Sequence, residues 1–172
     1  MGLSRVDPYD IVGLLEDDRL ELVMTHELGH IVAFIRSILS TRGGNQCCSD
    51  SDGAWDGALC PNVLREYRSL YPGDSSESPG LMAQGCAHWS DNVFYGELMD
   101  PTLYYSLPNH LGRVSIAALE DSGYVVDYSQ ADDYELTPAA AIGKEKEYGS
   151  LGKDVFHPIY TDDGIIVPVH FV

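Results

Sequence analysis

The stretch Thr25-His26-Glu27-Leu28-Gly29-His30 constrains this chain more than any other. It lies within an apolar-rich run from Leu20 to Leu39 that predicts a helix starting near Asp17 or Asp18 and reaching about Ser40. On a helix, His26 and His30 are i and i+4, so their imidazoles project from one face about one turn apart. That separation lets both rings reach a single zinc ion at bond lengths of about 2.0 to 2.1 Å. Glu27 is too close to the first histidine to be a comfortable further ligand. It is placed instead to take a proton from a water whose pKa zinc lowers to about 7, and to return that proton to a leaving amine. Gly29 in a helix interior costs roughly 1 kcal/mol against alanine, which a purely structural helix has no reason to accept.

A catalytic zinc site needs a third protein ligand, with a fourth position left for water. The remaining histidines, His88, His110, His157 and His170, are candidates, and spacing does not rank them. Glu66 would instead give a His₂Glu site of the thermolysin kind. It falls on a short helix expected to open at Pro61, with Val63, Leu64, Tyr67, Leu70 and Tyr71 at helical spacing and Pro72-Gly73 closing it. A further helix is expected around Arg113 to Asp121, stopped by Gly123, and a short strand over Tyr124 to Tyr128. The prolines in the C-terminal runs VFHPIY and IIVPVHFV argue for edge strands or an extended tail.

At 172 residues the chain is one domain's worth of protein. Its formal net charge of -17 makes nucleic acid and anionic membranes poor partners. No apolar run reaches the roughly 18 residues of a membrane span. The N-terminus has no basic-then-apolar leader, so the chain is expected either to stay inside the cell or to be part of a longer precursor. Cys47, Cys48, Cys60 and Cys86 suggest two disulfides. Joining adjacent Cys47 and Cys48 is the strained choice, which leaves two pairings open. No C-x-x-C is present, so a cysteine-ligated zinc is not expected.

The run His88-Trp-Ser-Asp-Asn-Val-Phe-Tyr-Gly-Glu97-Leu98-Met99-Asp-Pro101 resembles the leishmanolysin-like metalloproteases of the metzincin clan. In that group a long insertion follows the H-E-x-x-H helix, a His-Trp pair supplies the third ligand, and an E-L-M segment forms the methionine turn. His88 stands 58 positions after His30 and 11 before Met99, in keeping with the group's spacing. The segment from Ser115 to Asp121-Ser-Gly123-Tyr124 resembles the group's following helix and its D-x-G-Y exit. The resemblance covers roughly residues 20–135, leaving 136–172 as a polar segment and tail of a single domain spanning 1–172.

The resemblance implies zinc held by His26, His30 and His88, Glu27 as general base, and Met99 packed under the metal as structural support. Trp89 would pack beside the site, and Tyr104 and Tyr105 could approach metal or substrate. The implied fold is α+β, mainly the lower lobe of a metzincin catalytic domain, with the N-terminal sheet reduced or missing. The implied activity is zinc-dependent endopeptidase action on a polypeptide substrate, in a secreted or cell-surface setting. Other readings are the His₂Glu protease using Glu66, and a non-catalytic zinc-binding or adhesion module or protease fragment. The chain departs from the clan in two places: Ala33 stands where a glycine usually ends the zinc helix, and only 25 residues precede His26. Arg36 stands where other metzincins place a third histidine, which fits the long-insertion group, whose third ligand comes later. Because alanine is costly in a left-handed turn, the helix is expected to continue past Ala33.

Overall fold

A computed structural model of the chain describes residues 3–5, 8–34, 46–49, 53–70, 82–83, 86–102, 108–136, 159–161 and 164–168. In chain order the elements are β1 (Leu3–Arg5), α1 (Pro8–Glu16), α2 (Leu20–Val32), α3 (Pro61–Leu70), β2 (Met82–Ala83), β3 (His88–Trp89), α4 (Arg113–Asp121), β4 (Ile159–Thr161) and β5 (Gly164–Pro168), with a 3₁₀ turn at Tyr128–Gln130. The fold is α+β with helix predominating and strands of two to five residues.

Helix α2 carries the histidine motif, and both of its ends differ from the sequence expectation. Its start moves to Leu20 because Asp18 adopts φ 56°, a left-handed conformation that aspartate tolerates better than most residues. A separate helix, α1, precedes that turn and buries Leu14. At the other end α2 stops at Val32 and does not run on through Ala33. Ala33 has φ -151°, so the turn is made without the left-handed backbone that alanine would resist. Two local bonds and one tertiary bond close the helix instead. The Ala33 and Phe34 N–H groups both donate to the Gly29 carbonyl at 3.0 Å, and the Tyr124 hydroxyl donates to the Val32 carbonyl at 3.0 Å. These bonds satisfy end groups that a helix leaves orphaned.

Helices α3 and α4 pack on each other and follow the sequence expectation closely, with Val63, Leu64 and Tyr67 buried along α3. Tyr71, expected on the same face, lies outside the described residues. The N-terminus of α3 is capped from a distance. The Asp121 carboxylate, at the end of α4, accepts the Asn62 and Val63 N–H groups at 3.0 Å each. An anion in that position also faces the positive end of the helix dipole.

The disulfides are Cys47–Cys60 and Cys48–Cys86, one of the two pairings the sequence leaves open. The second ties the residues just before β3 to the loop ahead of α3. Trp89 is the hub of the core, with Phe94, Phe34 and Trp55 ring centroids 5.0, 5.2 and 5.8 Å away. The expected strand at Tyr124 to Tyr128 does not form. Val125 is fully exposed there, and Tyr128 turns back to stack under Arg113 and to hydrogen-bond Glu120. Near the C-terminus, β4 is an edge strand as expected. β5 is central, parallel to β1 and antiparallel to β4, with Pro168 confined to its last position. Among the described residues no helix is long and apolar enough to cross a membrane.

Candidate metal centre

Three imidazoles converge in the interior: His26 and His30 from α2, and His88 from β3. All three are buried, and one nitrogen from each lies within 4.8 Å of the others, a group that could hold a metal ion. The His26 and His88 rings are nearly parallel at 22°, and His30 stands edge-on to both, with centroids 4.7 Å away.

Backbone carbonyls fix two of the rings. His26 Nδ1 lies 2.6 Å from the Leu98 carbonyl oxygen, and His30 Nδ1 lies 2.8 Å from that of Phe34. A carbonyl only accepts, so each Nδ1 carries the proton and each neutral ring turns an Nε2 lone pair inward. The two Nε2 atoms are 3.0 Å apart. Two lone pairs at that distance repel unless a cation lies between them. Two nitrogens bound tetrahedrally to one zinc would stand about 3.3 Å apart, close to what is seen. A proton is a poor substitute for the metal here. Burial, reinforced by His30, lowers His26 to about 3, and burial lowers His30 as well. Three neutral imidazole nitrogens are a donor set suited to a transition-metal ion.

Glu27, the residue after His26 on α2, has both carboxylate oxygens buried and without a hydrogen-bond partner among the described residues. Burial pushes it up to about 7. Buried carboxyls without a partner are rare, and groups perturbed in this way concentrate at functional sites.

Met99 is buried beneath α2, and its fit explains Gly29. A Cβ added at Gly29 would lie 2.5 Å from Met99 Sδ and 3.0 Å from Cε, well inside contact distance. The glycine that a free-standing helix would reject is the one that lets Met99 pack against α2. Trp89 is buried as expected, its indole N–H donating to Ser115 Oγ at 2.8 Å. Tyr104, Tyr105, His157 and His170 lie outside the described residues. His110 pairs through its backbone with Gly96 and Leu98 and is not in the metal-capable group.

Glu66 also stands outside that group. Burial alone would push its carboxyl up, but Arg113 Nε at 2.7 Å and Arg65 Nε at 2.9 Å outweigh burial and hold it below the usual range. It knits α3 to α4 rather than facing the histidines.

Sequence reasoning missed Glu97 as more than part of a motif. Its carboxylate is fully buried and accepts three hydrogen bonds, from Met99 N–H at 2.6 Å, Gly112 N–H at 2.9 Å and Ser115 Oγ–H at 2.6 Å. Burial pushes it up to about 7, while the three bonds draw it down. The partners of Glu97 on α4 stand 15 and 18 residues ahead, too far for any local signal.

Compared with known proteins, the chain matches no family model, no curated protein and no solved structure. The leishmanolysin-like resemblance is therefore carried by the motif residues alone.

Proposed function

We propose that this chain is a zinc-dependent endopeptidase of the leishmanolysin-like, metzincin kind. His26, His30 and His88 would hold the metal, and Glu27 would act as general base. The observation that carries the reading is the pair of inward Nε2 lone pairs at 3.0 Å, on a helix whose Glu27 carboxylate is buried and has no hydrogen-bond partner among the described residues. When bound, zinc supplies a Lewis acid that acidifies water and polarises a carbonyl. The chain's own residues do the rest. The Leu98 and Phe34 carbonyls keep the two imidazoles in the ligating tautomer. Glu27 accepts a proton from the attacking water and passes it to the leaving amine of the peptide.

The pairing of Glu66 with two arginines argues against the His₂Glu alternative. Two disulfides fit an extracellular or secreted protein, in keeping with a secreted or cell-surface peptidase. The test is Glu27→Ala, assayed for zinc content and for cleavage of an unfolded protein substrate. Loss of cleavage with zinc retained supports the assignment. Full cleavage by the variant refutes it, and zinc in the wild type without any cleavage points to a non-catalytic metal-binding module.

A further inference from the structure

Glu97 touches none of the three histidines, yet its hydrogen bonds converge on the backbone that holds them. Its Oε2 accepts the Met99 N–H, and that N–H belongs to the same peptide unit as the Leu98 carbonyl. No peptide bond among the described residues is cis, so the N–H and C=O of this unit point in opposite directions. A carboxylate gripping the N–H on one side therefore aims the C=O on the other. That carbonyl is the oxygen 2.6 Å from His26 Nδ1.

The other end of the grip is equally fixed. Oε1 accepts from Gly112 N–H and Ser115 Oγ–H, both at the start of α4. The carboxylate thus also meets the positive end of that helix dipole. Gly112 allows the approach, since a Cβ there would lie 3.1 Å from Oε1 and 3.2 Å from Cγ of Glu97. Ser115 in turn accepts from the Trp89 indole, and the Trp89 N–H donates to the Met99 carbonyl at 2.9 Å, one residue beyond His88.

We propose that Glu97 is a positioning residue for the metal centre, acting through the Leu98–Met99 peptide to fix the His26 tautomer and aim its ligating nitrogen. A charged acceptor on the N–H also polarises the peptide, which makes its carbonyl a stronger acceptor for His26. The imidazole then becomes the better donor to a metal, the effect that outer hydrogen bonds have on ligating histidines. This inference rests on the metal reading above.

The geometry sets a differential test, because His30 is held by Phe34 and not by the Glu97 chain of bonds. Wild type, Glu97→Gln and Gly112→Ala are compared by two readouts. The first is zinc affinity by competition with a chelator. The second is the nitrogen-15 signature of the His26 and His30 tautomers in metal-free protein. Gly112→Ala displaces the carboxylate without removing its charge, and the Gly112 backbone at φ -75° accepts alanine, so it remains readable if Glu97→Gln does not fold.

The expected result is a loss of zinc affinity of about 10- to 100-fold in Glu97→Gln, and a smaller loss in Gly112→Ala. The His26 signature should become mixed while that of His30 stays unchanged. Unchanged affinity and tautomers in variants of a zinc-binding wild type would overturn the positioning role and leave the metal reading standing. Parallel changes in both histidines would also overturn it, by showing general loosening of the fold. A wild type that takes up no zinc would instead remove the metal reading. The tautomer comparison would still decide whether Glu97 governs His26.

Discussion

Replacing Gly29 by alanine sets two effects of opposite sign against each other. In an isolated helix the change stabilises by about 1 kcal/mol, because alanine loses less backbone freedom than glycine. In this fold the new methyl group would meet Met99 Sδ at 2.5 Å and Cε at 3.0 Å. Met99 is 1% exposed, so its thioether has little room to swing away. Overpacking of this kind costs about 1 to 3 kcal/mol. The net expectation for Gly29→Ala is a destabilisation of about 0 to 2 kcal/mol, with displacement of the methionine turn and weaker zinc binding. Met99→Ala removes the obstacle, at a cost of its own of about 2 to 5 kcal/mol. In that background Gly29→Ala should recover its intrinsic gain of about 1 kcal/mol. A double-mutant cycle read by urea denaturation should therefore show a coupling of about 1 to 3 kcal/mol between the two positions. If Gly29→Ala stabilises equally in both backgrounds, the methionine does not rest against α2 and the reasoning fails.

Two further predictions address the carboxylates. Glu66→Ala should destabilise the chain by about 1 to 3 kcal/mol through the loss of its charge-assisted bonds to Arg113 and Arg65, while zinc per chain, read by mass spectrometry, stays at the wild-type value. Loss of zinc in that variant would revive the His₂Glu reading. Asp100 is pushed from 3.8 up to about 8, first by burial and then by the nearby Asp91 and Glu97 charges, against the hydrogen bonds it accepts from Thr102 and Gly96. Between those values the native state holds a proton that the unfolded chain has lost. Its contribution to stability is thus full below pH about 4 and lost as pH rises through about 8. Denaturant titrations across that range should show a shallower decline in Asp100→Asn, and an equally steep decline in the variant would contradict the assignment.

What the sequence revealed was local, and what it hid was tertiary. The i, i+4 histidines, the acid between them and the apolar positions of α3 and α4 are all decided within a turn or two of chain. The pattern from Arg113 to Asp121 accordingly gave the bounds of α4 that the structure has. The end of α2 differs from the sequence expectation because the Tyr124 hydroxyl, from 92 positions further on, takes the Val32 carbonyl. The apolar look of Tyr124 to Tyr128 did not make a strand, because among the described residues no neighbouring strand offers a ladder there and Arg65 and Arg113 claim Tyr128. Gly29 carried a signal in the sequence, as an unfavourable residue in a helix, but its cause was Met99, 70 positions away. The role of Glu97 left no such trace.

The most direct test of the account is the metal content of the purified, zinc-loaded chain, measured by mass spectrometry on wild type and His88→Ala side by side. The account predicts about one zinc per chain in the wild type, as a three-histidine site requires, and almost none in the variant. Equal zinc in both would take His88 out of the site and contradict the account.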